Sequence, residues 1–249
     1  MNYLPSPNLP GGRVTDALIS EAAGEDILSA LISRGVRPVK VGICGTLPRE
    51  VASHADMIYH HLGSNRIISL DKNNIADSSL HNIGFKIKYQ NRSDIKATYP
   101  RDAALDAARI GDRLICNEKS VSRTLVAELG ETVGIISVKQ GYAKCSVCIV
   151  TEHSLITSDT GIAEACEKQG IDVLRIRCGF IELPGYNYGF LGGCSGKLAS
   201  DIMAFSGNLA MHPDFIRIKD FLKKYGVTAV SLGAGPLRDI GGIIPLTEE

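Results

Sequence analysis

The sequence predicts an α/β protein of five ββαβ-like units in a pseudo-symmetric ring, an α/β propeller, and three observations carry that expectation. A helix ending in glycine and followed by a strand occurs five times along the chain. Paired short strands precede most of these helices, and one strand-like run is left over at the C-terminus.

In chain order, Glu25–Gly42 (EDILSALISRGVRPVKVG) sets apolar residues at helical spacing, then Gly35, then a β-rich run. Asn74–Tyr89 repeats this more weakly around Gly84, and Ser122–Val138 repeats it around Gly130, ending in GIISV. Ile162–Ile176 and Ile216–Leu232 align without a gap when Gly170 is set over Gly226: Ile162 falls over Ile218, Ala165 over Phe221, Cys166 over Leu222 and Lys168 over Lys224. A glycine just past a helix accepts the left-handed conformation that ends it and redirects the chain into the strand.

Ahead of the helices, Met57–Leu70, Arg113–Val121, Ser146–Asp159 and Asp201–Pro213 each read as strand, polar turn, and a second short strand or the approach to the helix. The first unit has only PGGRVTDALIS in that place. The spare run DIGGIIPL fits the gap, so Ile240–Leu246 is expected to pair into the first unit and shut the ring, removing exposed sheet edges. Gly241 and Gly242 would mark a close backbone approach near the axis. The competing architecture is an open doubly wound sheet with no contact between the two ends of the chain.

Composition limits the function classes. The 249 residues form one expected domain, 1–249, with 44% hydrophobic and 22% charged residues. Lys+Arg and Asp+Glu both number 27 and no basic run stands out, so nucleic acid is not an expected partner. The N-terminus lacks a leader pattern and no apolar run approaches the about 18–20 residues of a membrane span, so no membrane partner and a cytoplasmic location are expected. Seven cysteines, an odd number at irregular spacing, read as reduced thiols. Cys145 and Cys148 have C-x-x-C spacing but lie in the strand-like KCSVCIV, where residues three apart face opposite ways, so no metal is expected there. No cofactor motif is present either: GGCSGK misses the spacing of a phosphate loop.

The repeat layout, with HADMIYHHLG, LPGYNYGFLGGCSGKL and GPLRDIGGIIPL as its most individual phrases, resembles the pentein or guanidino-modifying-enzyme superfamily. That superfamily includes arginine and agmatine deiminases, dimethylarginine dimethylaminohydrolase, amidinotransferases and a ribosome anti-association factor. The look is nearest to a bacterial branch of unassigned activity. The resemblance implies a Cys nucleophile on the closing strand, a His on the approach to the last unit, and acidic residues that hold a guanidinium. Here the closing strand reads RDIGGIIPL, without Cys, and the approach to the last unit reads GFLGGCSGKLASDIMAF, without His. One unit earlier, QGYAKCSVCIV has Lys144 and Cys145 where an acidic pair is expected.

In such a ring the segments leading into each unit line the axial channel. They carry His54, Asp56, Asp102, Asp106, Lys144, Cys145, Cys194, Ser195, Lys197, Arg238 and Asp239. Cys194, flanked by small residues and three positions from Lys197, and Cys145 are the candidate nucleophiles. Asp106, Lys144, Lys197, Ser195, Asp239, Tyr188 and His61 are the candidate ligand-binding residues. His60 and His61 would face opposite sides of a strand, whereas His54 and Asp56 would share a face, with a solvated or capping role favoured for them. His212 is expected to start the last helix, with Pro213 at its first position. Glu182–Gly193, the longest irregular insert, brings Tyr186 and Tyr188 into a loop suited to a ligand. The resulting reading is a small polar or charged metabolite bound in the axial channel. Two others stand beside it: a divergent Cys-dependent hydrolase or deiminase-like enzyme for a guanidino, amidino or amide compound, and a non-catalytic binding protein.

Overall fold

The computed structural model describes residues 2–90 and 97–249. Within them five separate sheets follow one another along the chain. The first holds β1 (Asn2–Tyr3), β2 (Val14–Ser20) and β3 (Arg37–Val41), with α1 (Glu25–Ile32) crossing between β2 and β3. The second begins with the single turn α2 (Ala55–Ile58) and continues through β4 (Tyr59–Gly63), β5 (Arg66–Ser69), α3 (Ala76–Asn82) and β6 (Lys86–Tyr89). The third holds β7 (Ala108–Ile110), β8 (Arg113–Cys116), α4 (Arg123–Leu129) and β9 (Gly134–Ser137). The fourth has the turn α5 (Ala143–Ser146), then β10 (Val147–Thr151), β11 (Ser154–Thr157), α6 (Thr160–Glu167) and β12 (Asp172–Arg175). The fifth has β13 (Ser195–Ala199), β14 (Ile202–Phe205), α7 (Phe215–Lys224) and β15 (Thr228–Ser231). In each of the last four sheets a hairpin pairs antiparallel, and the helix returns the chain as a parallel third strand.

The helix-glycine-strand pattern holds at all five positions. Gly35, Gly84, Gly130, Gly170 and Gly226 follow α1, α3, α4, α6 and α7, and all have positive φ, between 67° and 87°. Around Gly226 a Cβ would meet nothing within 4 Å, so glycine is required there by backbone conformation and not by space. Each helix buries the face its periodicity marks: Ile27, Leu28 and Leu31 in α1, Ile162, Ala163 and Cys166 in α6, Ile218 and Leu222 in α7. Ser122 and Asp159 cap α4 and α6 by accepting from the amides of Leu125 and Ile162. His212 and Pro213 lie outside α7. Asp214 stands at its N-cap, but its carboxylate is taken by Arg177 and Arg217.

The leftover strand pairs into the first unit, four residues later than expected. β16 (Ile244–Glu248) lies between β1 and β2, antiparallel to both, with Ile244 opposite Leu18 and Asn2 opposite Glu248. Gly241 and Gly242, at φ +74° and +75°, turn the chain before the strand begins. Pro245 is accommodated because the register shifts immediately after it. The fully buried Asp16 fastens this sheet: it accepts from Thr247 Oγ1 on β16 (2.5 Å) and from Arg37 Nε on β3 (2.5 Å).

Cys145 corrects one local expectation. It lies in the helical turn α5, and only Cys148 is on a strand, so alternation of faces does not describe the pair. All seven cysteines are free, and Cys178 is the exposed one. Among the described residues no helix is long and apolar enough to cross a membrane.

Gly226→Ala should lower stability by about 1–2 kcal/mol in denaturant unfolding. Gly45→Ala, at a position with equally open surroundings and no positive φ, should be neutral or slightly stabilising. Equal loss at both positions would contradict this account. His60 and His61 give a pH prediction. Burial pushes their pKa values down to about 3 and about 4, and both rings donate to backbone carbonyls, of Leu105 and Ser64. Below the unfolded value of about 6.5 the unfolded chain takes up protons that these folded imidazoles refuse, so stability must fall with pH between about 6 and 4. Each ring contributes up to about 1.4 kcal/mol per pH unit. His61→Gln should flatten the slope by about one proton, and an unchanged slope would remove His61 from the account.

Candidate functional site

The short turns that open the second and fourth units, and the segment before β16, bring their polar side chains to one place. His54 precedes α2 and Asp56 lies in its first turn; the two are 4% and 1% exposed. The Asp56 amide donates to the Gly241 carbonyl (3.2 Å), which docks α2 on the segment leading into β16. Asp239 opens that segment. Its Oδ1 accepts from the Gly241 amide (3.1 Å) and its Oδ2 from Phe190 N (2.9 Å), and His54 Nδ1 stands 3.7 Å from Oδ1. Opposite, Asp106 caps α5: its Oδ1 accepts from the amides of Lys144 (2.5 Å) and Cys145 (3.0 Å). That places the Cys145 thiol 3.1 Å from Asp56 Oδ2, to which it donates.

Two glycines make the approach possible. A Cβ on Gly241 would stand 2.4 Å from His54 Cα, and one on Gly193 would stand 2.0 Å from Asp239 Oδ1. Any side chain there would push the carboxylate and imidazole apart.

The electrostatics follow from burial. Desolvation raises the Asp106 and Asp239 carboxyls above the ordinary range; the Asp56 charge adds to this in both, while His54 opposes it at Asp239. Burial also raises the Cys145 thiol well above its ordinary value, and the charges of Asp106, Asp56 and Asp239 raise it further. Three buried oxygen or nitrogen atoms here have no hydrogen-bond partner: His54 Nδ1, Asp56 Oδ1 and Asp106 Oδ2. Unpartnered buried polar atoms are costly, and so many in one cluster suggest an occupant.

Two clefts reach this cluster from either side of Leu183, and His54 and Asp239 line both. One, of about 390 Å³, has Ser20, Arg49, Glu50, Ser53 and Arg238 in its wall. The other, of about 350 Å³, is aromatic, lined by Tyr99, Tyr142, Tyr186, Tyr188 and Phe190. The Tyr99 and Tyr142 rings stand 5.2 Å apart, Tyr188 meets Phe190 edge-on at 5.9 Å, and Tyr142 Oη donates to the buried Asp102 (2.6 Å).

Of the candidates named from sequence, the structure therefore brings together Asp106, Lys144, Cys145 and Asp239, with Tyr188 on the cleft above. Cys194 is fully buried and donates to its own turn, at Leu191 O (3.3 Å); burial and the Asp239 charge raise its thiol. Lys197, three positions on, turns its ammonium to Ser200 O (2.6 Å). Ser195 is buried at the start of β13. His61 points to Ser64 O and the Phe85 ring, and with Asp56 and Lys144 borders a gap of only about 10 Å³. His54 and Asp56, expected to share a face in a solvated or capping role, are both buried; His54 stands at the N-cap of α2, but its side chain makes no capping hydrogen bond. Their spacing of two, in a segment that opens a unit, was the available signal. Tyr99 and Tyr142 carried none.

The chain was compared with known proteins. A family model described as a family of unknown function (DUF6873) matches residues 18–244. No curated protein matches the sequence. Among solved structures, the amidinotransferase of saxitoxin biosynthesis from Microseira wollei is 12% identical, with 92% of this chain and 91% of that one covered at a TM-score of 0.56. The inosamine-phosphate amidinotransferase of Streptomyces griseus is 9% identical, with 99% and 97% covered at 0.57. The substrate-bound agmatine deiminase of C. jejuni is also 9% identical, with 100% and 97% covered at 0.57. At these identities the likeness concerns the fold, which is the α/β fold of the pentein superfamily.

Burial makes a thiol-labelling prediction. In native protein a thiol reagent should modify one cysteine quickly, Cys178, and Cys178→Ser should abolish the fast phase, leaving six thiols that react only on unfolding. A second fast thiol, mapped to Cys145 or Cys194, would contradict the environment described for it.

Proposed function

The chain belongs to the family DUF6873, and from that premise we propose that it binds a small cationic metabolite, of guanidino, amidino or amine type, where its clefts meet Asp239 and His54. The observation that carries this reading is that the buried Asp239 lines both clefts and belongs to a cluster in which Asp56 and Asp106 are buried as well. Burial and the Asp56 charge hold the Asp239 carboxyl above the ordinary range, and a cationic head beside it would favour the carboxylate and be held by a charge-assisted hydrogen bond. The aromatic cleft suits the same ligand, because tyrosine faces attract cations and its apolar walls accept a carbon chain. In this reading the five units close into one ring, shut by β16, whose lead-in segments surround the ligand. Neighbours of the same fold include amidinotransferases and an agmatine deiminase, proteins whose names refer to guanidino chemistry.

Within the described residues, Asp239 would orient the cationic head through the oxygen facing His54, while Tyr186 and Tyr188 would cover it. The closing segment has Gly241 and Gly242 where the superfamily's nucleophile is expected, so binding is the conclusion and the turnover step is left unassigned. A second reading, a Cys-dependent hydrolase for a guanidino, amidino or amide compound, is favoured by one contact: the Cys145 thiol donates to Asp56. It requires that thiol to ionise beside carboxylates, which a bound cation would ease by cancelling their charge.

Thermal-shift and calorimetric titration with agmatine, arginine and the neutral ureido analogue citrulline test the proposal. Agmatine and arginine should raise Tm and citrulline should not; Tyr186→Ala and Tyr188→Ala, in an exposed loop, should weaken binding by roughly 3- to 30-fold, the range of a cation–π contact. Equal shifts from citrulline, or tyrosine variants that bind as wild type, would overturn it.

A further inference from the structure

We propose that His54, Asp56 and Cys145 form a binding site for one divalent transition-metal cation of the zinc type. A ring nitrogen of His54, a carboxylate oxygen of Asp56 and the Cys145 sulfur lie within 4.8 Å of one another, and all three residues are buried. Imidazole, carboxylate and thiolate form a mixed donor set that suits zinc and cobalt, while magnesium and calcium prefer oxygen alone. Ligand atoms about 2.0–2.3 Å from a tetrahedral ion stand roughly 3.3–3.8 Å apart. The Cys145 Sγ to Asp56 Oδ2 distance of 3.1 Å already has this scale, and the remaining separations, within 4.8 Å, need to close by up to about 1–1.5 Å.

A second, independent observation points to the same ion. His54 Nδ1 and Asp56 Oδ1 are buried without any hydrogen-bond partner. In a protein interior such atoms are ordinarily satisfied, and coordination would satisfy the imidazole and the carboxylate together. The surroundings also supply an outer support of the kind metal ligands need. Asp106 fixes the turn bearing Cys145 through two amides. Binding would proceed with loss of the thiol proton to solvent: the Cys145 S–H bond breaks, the sulfur–metal bond forms, and the cation's two charges are balanced by thiolate and Asp56 carboxylate. Three protein ligands leave a fourth coordination position open. Sequence reading expected no metal because it paired Cys145 with Cys148; the partners that matter come from another unit.

This site shares His54 and Asp56 with the cationic-metabolite reading and would compete with it, so its test uses the metal alone. Chelator-treated protein carrying Cys178→Ser, which removes the exposed thiol, is titrated with Co²⁺ and then with competing Zn²⁺. One equivalent of Co²⁺ should bind, giving the intense visible bands of a tetrahedral site and a near-ultraviolet thiolate charge-transfer band, all displaced by Zn²⁺. Cys145→Ser should abolish the charge-transfer band, and His54→Gln should weaken binding at least 10-fold. Should either variant fail to fold, X-ray absorption of the zinc-loaded Cys178→Ser protein decides: one sulfur at about 2.3 Å with nitrogen and oxygen at about 2.0–2.2 Å is expected. An oxygen-only shell, weak octahedral cobalt spectra, or unchanged binding in folded variants would overturn the proposal. Agmatine binding to the chelator-treated protein, measured in parallel, keeps the two readings separable.

Discussion

The contact between the Gly241 backbone and α2 holds the candidate site in place. Gly241 gives its carbonyl to the Asp56 amide and its own amide to Asp239, and it packs against His54 with no side chain between. Three of the site's polar residues are thereby fixed by one peptide. The same segment then becomes β16 and enters the first sheet, so site geometry and sheet pairing share a single piece of chain. Asp16 secures the far side of that arrangement through Thr247.

The repeats were legible because they are local. A helix face, a glycine at positive φ and a strand lie within about twenty consecutive residues, and backbone sterics alone force glycine into its position. That is why Gly35, Gly84, Gly130, Gly170 and Gly226 could be found without any partner being known. The spare strand was legible for a related reason: the first unit lacked a hairpin. Its start was misplaced because Gly241 and Gly242 form a turn, and the clearance that Gly241 gives is over His54, a residue far away in sequence.

The site was legible only in part. Asp106, Lys144, Cys145 and Asp239 could be named because they lie in segments that open a unit. Their roles could not, because Asp106 acts by capping a turn in the next unit and Cys145 by meeting Asp56 from an earlier one. Cys194 illustrates the converse: its flanking glycines suggested access for a substrate, whereas they serve close packing against Asp239 and the fourth unit. Small neighbours leave room, and the fold decides what fills it.

The polar cluster draws its residues from lead-in turns and not from strand interiors, with a consequence for how this protein could change over time. Replacing a side chain at one of these positions breaks no ladder hydrogen bond, so the polar cluster can change while the five sheets keep their pairing. A cluster assembled from several lead-in turns can explore combinations of acid, base, thiol and glycine one position at a time. The glycine-rich closing segment of this chain is one such combination, in which Gly241 is used for backbone clearance over His54.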